Sequence, residues 1–282
     1  MKLIKPQYQI ITQESGLEGL YKQIELCGRV AYKSEDKITK NSYKEFVDRM
    51  IKLNHGAVLE HGTVYLYYKA TENSNPLNKY FHNKYSKAIW IERGGYADVC
   101  ITTNLRLLIE NNWLNDLQYL CEPTEYHEKR ACVRFICDRG ISHEFVRHRT
   151  FSFLMESTRY CNYSKDKFDN ELTFIQPCWL DDKKLKLYGP YHTIIRDKSP
   201  ESIFIANLNN IERDYLDLIS FGWKPQQART VLPNSLKTEL IMTGFISDWK
   251  HFFKLRCAGS AHPQAKELAI PLHREFLNRG YL

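Results

Sequence analysis

The sequence has no apolar run long enough for a membrane helix. Its first residues, Met1-Lys2-Leu3-Ile4-Lys5-Pro6, lack an apolar signal core and a small-residue cleavage site. The expectation is a cytoplasmic protein with no membrane partner. No Cys-x-x-Cys occurs among the eight cysteines, at 27, 100, 121, 132, 137, 161, 178 and 257, so neither a zinc ribbon nor a redox dithiol is signalled. In a leaderless chain, buried or free thiols are expected. No Gly-x-Gly-x-x-Gly follows a candidate strand, so a dinucleotide would have to bind without a Rossmann fold. Repeats, low-complexity tracts and linkers are also missing. What remains is a chain of 282 residues with 43% hydrophobic and 26% charged side chains, the balance of a globular protein able to bury a sizeable core. The net charge of +7 suits anionic ligands without choosing among them.

Periodicity divides the chain into helices and short strands. Ser15-Gly16-Leu17-Glu18 reads as a capping box, with Leu17, Leu20, Tyr21, Ile24 and Cys27 following at helical spacing. A second box, Ser42 to Glu45, opens a helix through Phe46, Val47, Met50 and Ile51. Thr63–Tyr68, Cys132–Cys137, Leu172–Gln176 and Leu240–Phe245 read as strands. Asp138-Arg139-Gly140 reads as a turn, after which Ser142 caps a helix over 143–150. Ser199-Pro200-Glu201 starts a long helix with Ile203, Leu208, Ile211, Leu216 and Ile219 on its apolar face, ended by Gly222. Gln226–Val231 is a short helix, Ser247 caps one through Arg256, and a last helix from Pro263 to about Asn278 should be kinked or divided at Pro271. Residues 71–98 show weak periodicity and read as a surface excursion. The whole is predicted as one α+β domain, 1–282, with a central, mostly antiparallel sheet flanked by helices.

The segment richest in chemistry is Arg147-His148-Arg149-Thr150-Phe151-Ser152-Phe153-Leu154-Met155-Glu156-Ser157-Thr158-Arg159-Tyr160. Three potential cations stand in a row. An arginine fork can grip a phosphate with two hydrogen bonds. In extended chain Ser157 and Arg159 face the same side, so a hydroxyl and a guanidinium could share one phosphate. Residue type alone would equally allow a solvated basic patch.

The spacing decides between them. Arg-His-Arg, seven residues, Ser, then Arg-Tyr at Arg159-Tyr160 resembles the signature of flavin-dependent thymidylate synthases. His55-Gly56-Ala57-Val58-Leu59-Glu60-His61, Ala228-Arg229-Thr230-Val231-Leu232-Pro233 and Phe252-Phe253-Lys254-Leu255-Arg256 with His262 beyond are similar to further elements of that family, in the same order. The resemblance covers roughly 27–69, 132–176 and 222–276, and marks about 70–131 as a family-variable insertion.

Several roles follow from the resemblance. It implies the family's own non-Rossmann fold and the reductive methylation of dUMP to dTMP. Methylenetetrahydrofolate is then the carbon donor, and FAD, re-reduced by NADPH, the reductant. Arg147, His148 and Arg149 should contact FAD, with His55, Glu60, Met155, His251 and His262 as further flavin- or folate-side groups. Glu144, Arg147, Ser157, Thr158, Arg159, Arg229 and Arg256 should hold dUMP. Arg256 is the catalytic candidate, placed by the uracil ring to favour ionisation at N3. Ser157 reads as a binding group, since nothing nearby marks a base that would activate it. A homotetramer with shared active sites is implied, and no metal. Met155, Ala57, Phe245 and Glu144 depart from the family's commoner Glu or Gln, Ser or Thr, Asn, and Gln.

His143-Glu144 with His148 imitates a zinc-protease helix, but the two histidines would lie roughly 140° apart around it. Trp249, Phe252 and Phe253 at helical spacing read as core, and His61 and His273 as ordinary satisfied histidines. A nucleic-acid module using the same cations and 18 tyrosines is the rival reading. Against it stand 33 interspersed acidic residues and the lack of any such motif, so no nucleic-acid partner is expected.

Overall fold

The computed structural model describes residues 1–71, 75–185 and 198–282. In chain order the first half holds β1 (Lys2–Ile4), β2 (Gln7–Ile11), α1 (Gly16–Tyr32), α2 (Ser42–Lys52), α3 (Gly56–Leu59), β3 (Thr63–Ala70), β4 (Lys87–Glu92), β5 (Ala97–Asn104) and α4 (Leu105–Glu110). The second half holds β6 (Arg130–Asp138), α5 (Arg139–Phe145), β7 (Ser152–Met155), β8 (Thr173–Ile175), α6 (Asp182–Leu185), α7 (Pro200–Ser220), α8 (Pro225–Ala228), β9 (Lys237–Phe245), α9 (Ile246–Arg256) and α10 (Pro263–Asn278). The fold is α+β with antiparallel sheets, as expected, but the strands among the described residues do not form one central sheet. They make a four-stranded antiparallel sheet ordered β2-β6-β9-β7, a three-stranded antiparallel sheet ordered β3-β5-β4, and a parallel pair, β1 with β8.

β9 is central to the larger sheet, and its alternating side chains face two different interiors. Leu240 and Met242 join the aromatic core of Phe135, Phe145, Trp249, Phe252 and Phe276, against which α9 and α10 pack. Ile241 faces the other way, onto Cys27 and Val30 of α1 and Cys132 of β6. Gly244 is required on the aromatic side: a Cβ there would stand 2.4 Å from Phe151 Cδ1. Trp249, Phe252 and Phe253 are therefore core, as their spacing predicts. The smaller sheet has its own core, where α1, α2 and α4 cover Val64, Leu66, Val99 and Ile101.

Several local expectations are corrected, each by a contact the sequence does not display. Residues 71–98 are no mere excursion: they carry β4 and the start of β5, paired from Glu92↔Ala97 to Lys87↔Thr102. The helix predicted over 143–150 starts four residues earlier, at Arg139. Its cap is Asp138, which accepts from the Ile141 N–H at 2.8 Å, and not Ser142. Arg147 to Thr150 thus lie beyond its end. Ser42 is the first helical residue, not a cap, because its hydroxyl donates to Glu25 of α1 at 2.9 Å. Ser15 occupies the cap position of α1 without a side-chain cap bond, and Glu18 pairs with Lys22 instead. Ser247 lies inside α9, where its N–H donates to Glu128. Ser199 does cap α7, accepting from the Ser202 N–H, yet Ile203 points out to solvent while Leu208 is buried. Pro271 does not divide α10. The eight cysteines are unbridged. Among the described residues no helix is long and apolar enough to cross a membrane.

Candidate active site

Two helix ends meet at the first cluster. α5 stops at Phe145, and α9 delivers Arg256 from its last turn against that stop. Arg256 Nη1 donates to the Glu144 carboxylate at 2.7 Å, Nη2 to the Glu144 carbonyl at 2.6 Å, and Nε to His148 Nε2 at 3.0 Å. The carbonyl is one of those a helix C-terminus leaves unpaired, so a cation there is favoured twice over. A guanidinium has five N–H groups. Three fix the plane of Arg256 in the protein, which leaves two for a ligand. His148 sits on Phe252, centroids 5.0 Å apart, with His251 at 6.2 Å. Glu144, His148, His251 and Arg256, four residues predicted for the site, are thus in one place. Arg147 and Arg149 are exposed on either side of buried His148.

Burial, then Arg256, then His251 hold the His148 imidazole down to about 4. It is therefore neutral near pH 7 and can accept the Arg256 N–H. The sign of the linkage follows. An unfolded histidine takes up its proton near 6.5, before the folded one does, so stability is lost as pH falls from about 6.5 to 4 and levels off below. His148→Gln should flatten that part of the profile, by on the order of 2 kcal/mol at pH 4 relative to wild type. Urea denaturation at stepped pH reads the difference. Parallel profiles would show that the proton is not excluded from His148.

The second cluster follows β7. Glu156 turns inward, where it accepts from Lys237 Nζ at 2.7 Å and from the Tyr163 hydroxyl at 3.1 Å. This agrees with the alternation that sends Glu156 and Ser157 to opposite sides. Ser157 then opens a tight turn: its hydroxyl accepts from the Arg159 N–H at 3.3 Å, and its carbonyl from the N–H groups of Tyr160 and Cys161. Arg159 lies exposed over the Tyr160 ring, 5.2 Å from its centroid. From the turn after α8, Arg229 Nη1 reaches Thr158 Oγ1 at 3.5 Å, the outer limit of a hydrogen bond. Ser157, Thr158, Arg159 and Arg229 are hence neighbours although the chain separates the last from the rest.

Other predicted residues lie apart in a single chain. Glu60 pairs with Arg106 and faces Arg149 across a cleft of about 800 Å³ that Phe245 also lines. That volume is in the range of small-molecule and cofactor sites. Five basic side chains (Lys84, Lys87, Arg106, Arg130 and Arg149) outnumber the acidic Glu60, Glu110 and Asp248 there. Arg130 and Lys87 both stand over the Phe245 ring, at 5.7 and 5.6 Å. His55 is exposed, with Nδ1 3.3 Å from the Tyr32 hydroxyl, beside Tyr160 in a shallower cleft of about 630 Å³. His262 stands at the start of α10 against Trp179, and Met155 packs on the aromatic core. Ala57 is exposed on α3.

Sequence reasoning missed the support under the second cluster. Glu239 of β9, 3% exposed, binds Lys33 and Lys237 at 2.8 Å each and Arg134 Nε at 2.7 Å. Burial opposes its charge, but Lys237 and Lys33 prevail and hold the carboxyl down to about 2. The Glu239 carbonyl also accepts from the Glu156 N–H, so the ion network and the Ser157 turn share a backbone bond of 2.8 Å. Lys237 and Glu239 two apart on a strand were the available signal, and their partners were not.

Comparison with known proteins gives the same direction. The sequence profile of the family described as thymidylate synthase complementing protein matches residues 128–279. The chain is 29% identical over 143 residues to a flavin-dependent thymidylate synthase of Pyrococcus furiosus, covering 51% of this chain and 52% of that one. It is likewise 29% identical over 145 residues to one from Mycolicibacterium gilvum, covering 49% and 54%. The aligned part spans about half the length of these relatives. A crystal structure of the UMP/dUMP methylase PolB from Streptomyces cacaoi superimposes over 99% of this chain and 93% of that one. Its TM-score of 0.43 and 15% identity are too low to bear on the fold. The profile covers more than half of the 282 residues and spans both clusters around Arg256 and Ser157, so the chain belongs to the thymidylate synthase complementing protein family.

Proposed function

We propose that this chain methylates dUMP at C5 to give dTMP, taking the carbon from methylenetetrahydrofolate and releasing tetrahydrofolate. The observation that carries the reading is the Thr158–Arg229 contact. It brings two motif segments, 71 positions apart, together beside Ser157 and Arg159. These four side chains grip the dUMP phosphate. Arg256, its plane fixed by Glu144 and His148, turns its two spare N–H groups to the uracil and stabilises negative charge as it develops at N3. Such a donor costs nothing to reorient during the reaction. FAD supplies the reducing equivalents when bound, and NADPH restores them. The 800 Å³ cleft suits it by size and by its surplus of cations, with Arg149 and Glu60 on its walls. The residues that lie apart in one chain, His55 and His262 among them, are assigned to sites completed by neighbouring copies in a homotetramer. The chain reads as one cytoplasmic catalytic domain, with about 70–131 as its variable insertion.

Holding the reactants together is itself worth up to roughly 7–11 kcal/mol in favourable systems. The direct test is the visible spectrum of the purified protein, followed by anaerobic assay with dUMP, methylenetetrahydrofolate and NADPH. Flavin absorbance with release of dTMP and tetrahydrofolate is the expected result. A colourless protein that binds nucleic acid with steep salt dependence would replace the reading. Arg159→Ala and Arg229→Ala should each weaken dUMP binding by about 1.5–3 kcal/mol, with flavin content unchanged. Calorimetric titration showing unchanged affinity in both would remove the phosphate grip.

A further inference from the structure

Where the two main sheets join lies a cluster that the nucleotide chemistry does not use. Cys27 of α1, His61 at the entry to β3 and Cys132 of β6 are 0, 0 and 2% exposed. The two sulfurs are 3.8 Å apart, and one ring nitrogen of His61 and both sulfurs all lie within 4.8 Å of one another. Thr243, opposite Cys132 in the sheet, bonds His61 Nδ1 at 2.8 Å. Nε2 is buried and has no hydrogen-bond partner among the described residues. Apolar Val30 and Ile241 close the surroundings. A buried imidazole nitrogen left unpaired costs free energy and calls for an occupant.

We propose that Cys27, Cys132 and a ring nitrogen of His61 bind a thiophilic d¹⁰ cation, Zn(II) or Cu(I). Thiolate sulfurs and imidazole are the donors such ions select. The spacing agrees: two Zn–S bonds of about 2.3 Å at a tetrahedral angle put the sulfurs about 3.8 Å apart. The Thr243 bond to Nδ1 orients the ring, as outer-sphere partners of metal-bound histidines do. Binding would release the thiol protons to solvent. Because His61 leads into the three-stranded sheet while Cys132 lies in the four-stranded one, the ion would clamp the two together.

The experiment uses the full chain, stripped of metal under reducing conditions. One arm is reloaded with Zn(II) or its spectroscopic surrogate Co(II), the other anaerobically with Cu(I). The expected result is about one equivalent per chain, with sulfur-to-cobalt charge-transfer absorption that is lost in Cys132→Ser and kept in Cys178→Ser, an exposed cysteine. X-ray absorption of the loaded wild type needs no variant and should show two sulfurs and an imidazole around the metal. The arm that retains its ion against a competing chelator identifies the cation. A shell of nitrogen and oxygen alone, no retained metal in either arm, or charge-transfer bands that survive in Cys132→Ser would overturn the assignment in favour of a plain thiol–thiol hydrogen bond.

Discussion

Arg256→Ala should lower turnover of dUMP by roughly 10²–10³-fold while flavin remains bound. The size of the effect rests on how the guanidinium is held. Glu144 takes one N–H on its carboxylate and another on its carbonyl, and His148 takes the third. The remaining N–H groups are therefore aimed before any ligand arrives, and a truncated side chain removes both. Arg256→Lys keeps the charge but not the planar fork, so it should recover only a small part of the loss. Glu144→Gln retains one oxygen acceptor and the backbone carbonyl, and should cost less than either. Single-turnover rates, with flavin absorbance recorded on the same samples, separate chemistry from cofactor loss. Near-normal rates in Arg256→Ala would take this residue out of the mechanism. A colourless variant would make it a structural anchor instead.

The second large effect is expected away from any ligand. Glu239→Gln leaves Lys33, Lys237 and Arg134 converging on an uncharged amide, and breaking a buried pair in this way costs about 3–5 kcal/mol. For a chain of this size the midpoint of thermal unfolding should fall by roughly 10 °C. The pH dependence gives a signature. The wild-type carboxyl is held down to about 2, against an ordinary value of 4.5, so its contribution is present above 4.5 and lost as pH falls toward 2. The gap between wild type and Glu239→Gln should close over that window. Because the Glu239 strand also holds the Glu156 N–H, dUMP affinity should weaken as well. Glu18→Gln, which removes a charge from the exposed Lys22 pair, should change neither measurement. A gap that stays constant down to pH 2 would show that the charge of Glu239 is not what the cations stabilise.

How far the sequence reveals this molecule depends on the distance over which each choice is made. Apolar periodicity located α1, α2, α9 and α10, because a helix that buries one stripe must repeat it every three to four residues. Caps were harder to place. Ser42 satisfies the local pattern but gives its hydroxyl to Glu25 on another helix, and Asp138 does the work assigned to Ser142. Strand β4 was hidden because only some of its residues face an interior, so no clean alternation shows. At the site, Arg256 with His148 and Ser157 with Arg159 could be found because family spacing marks them. The Glu239 network could not, since a carboxylate with three cations from three segments has no local pattern. The Cys27–His61–Cys132 cluster is the extreme case: its sulfurs meet across 105 residues, and His61 passes for any buried histidine.

Strand β9 carries charge at Lys237 and Glu239, an apolar contact at Ile241 and a histidine partner at Thr243 on one side. Leu240, Met242 and a vacant Cβ position at Gly244 fill the other. Gain or loss of a single amino acid between Lys237 and Phe245 would therefore reverse every assignment on one side of the change, turning charged side chains toward the aromatic core or apolar ones toward the ions. Length variation among related chains should accumulate in the connections and spare this stretch, whose count of residues is as fixed as their identity.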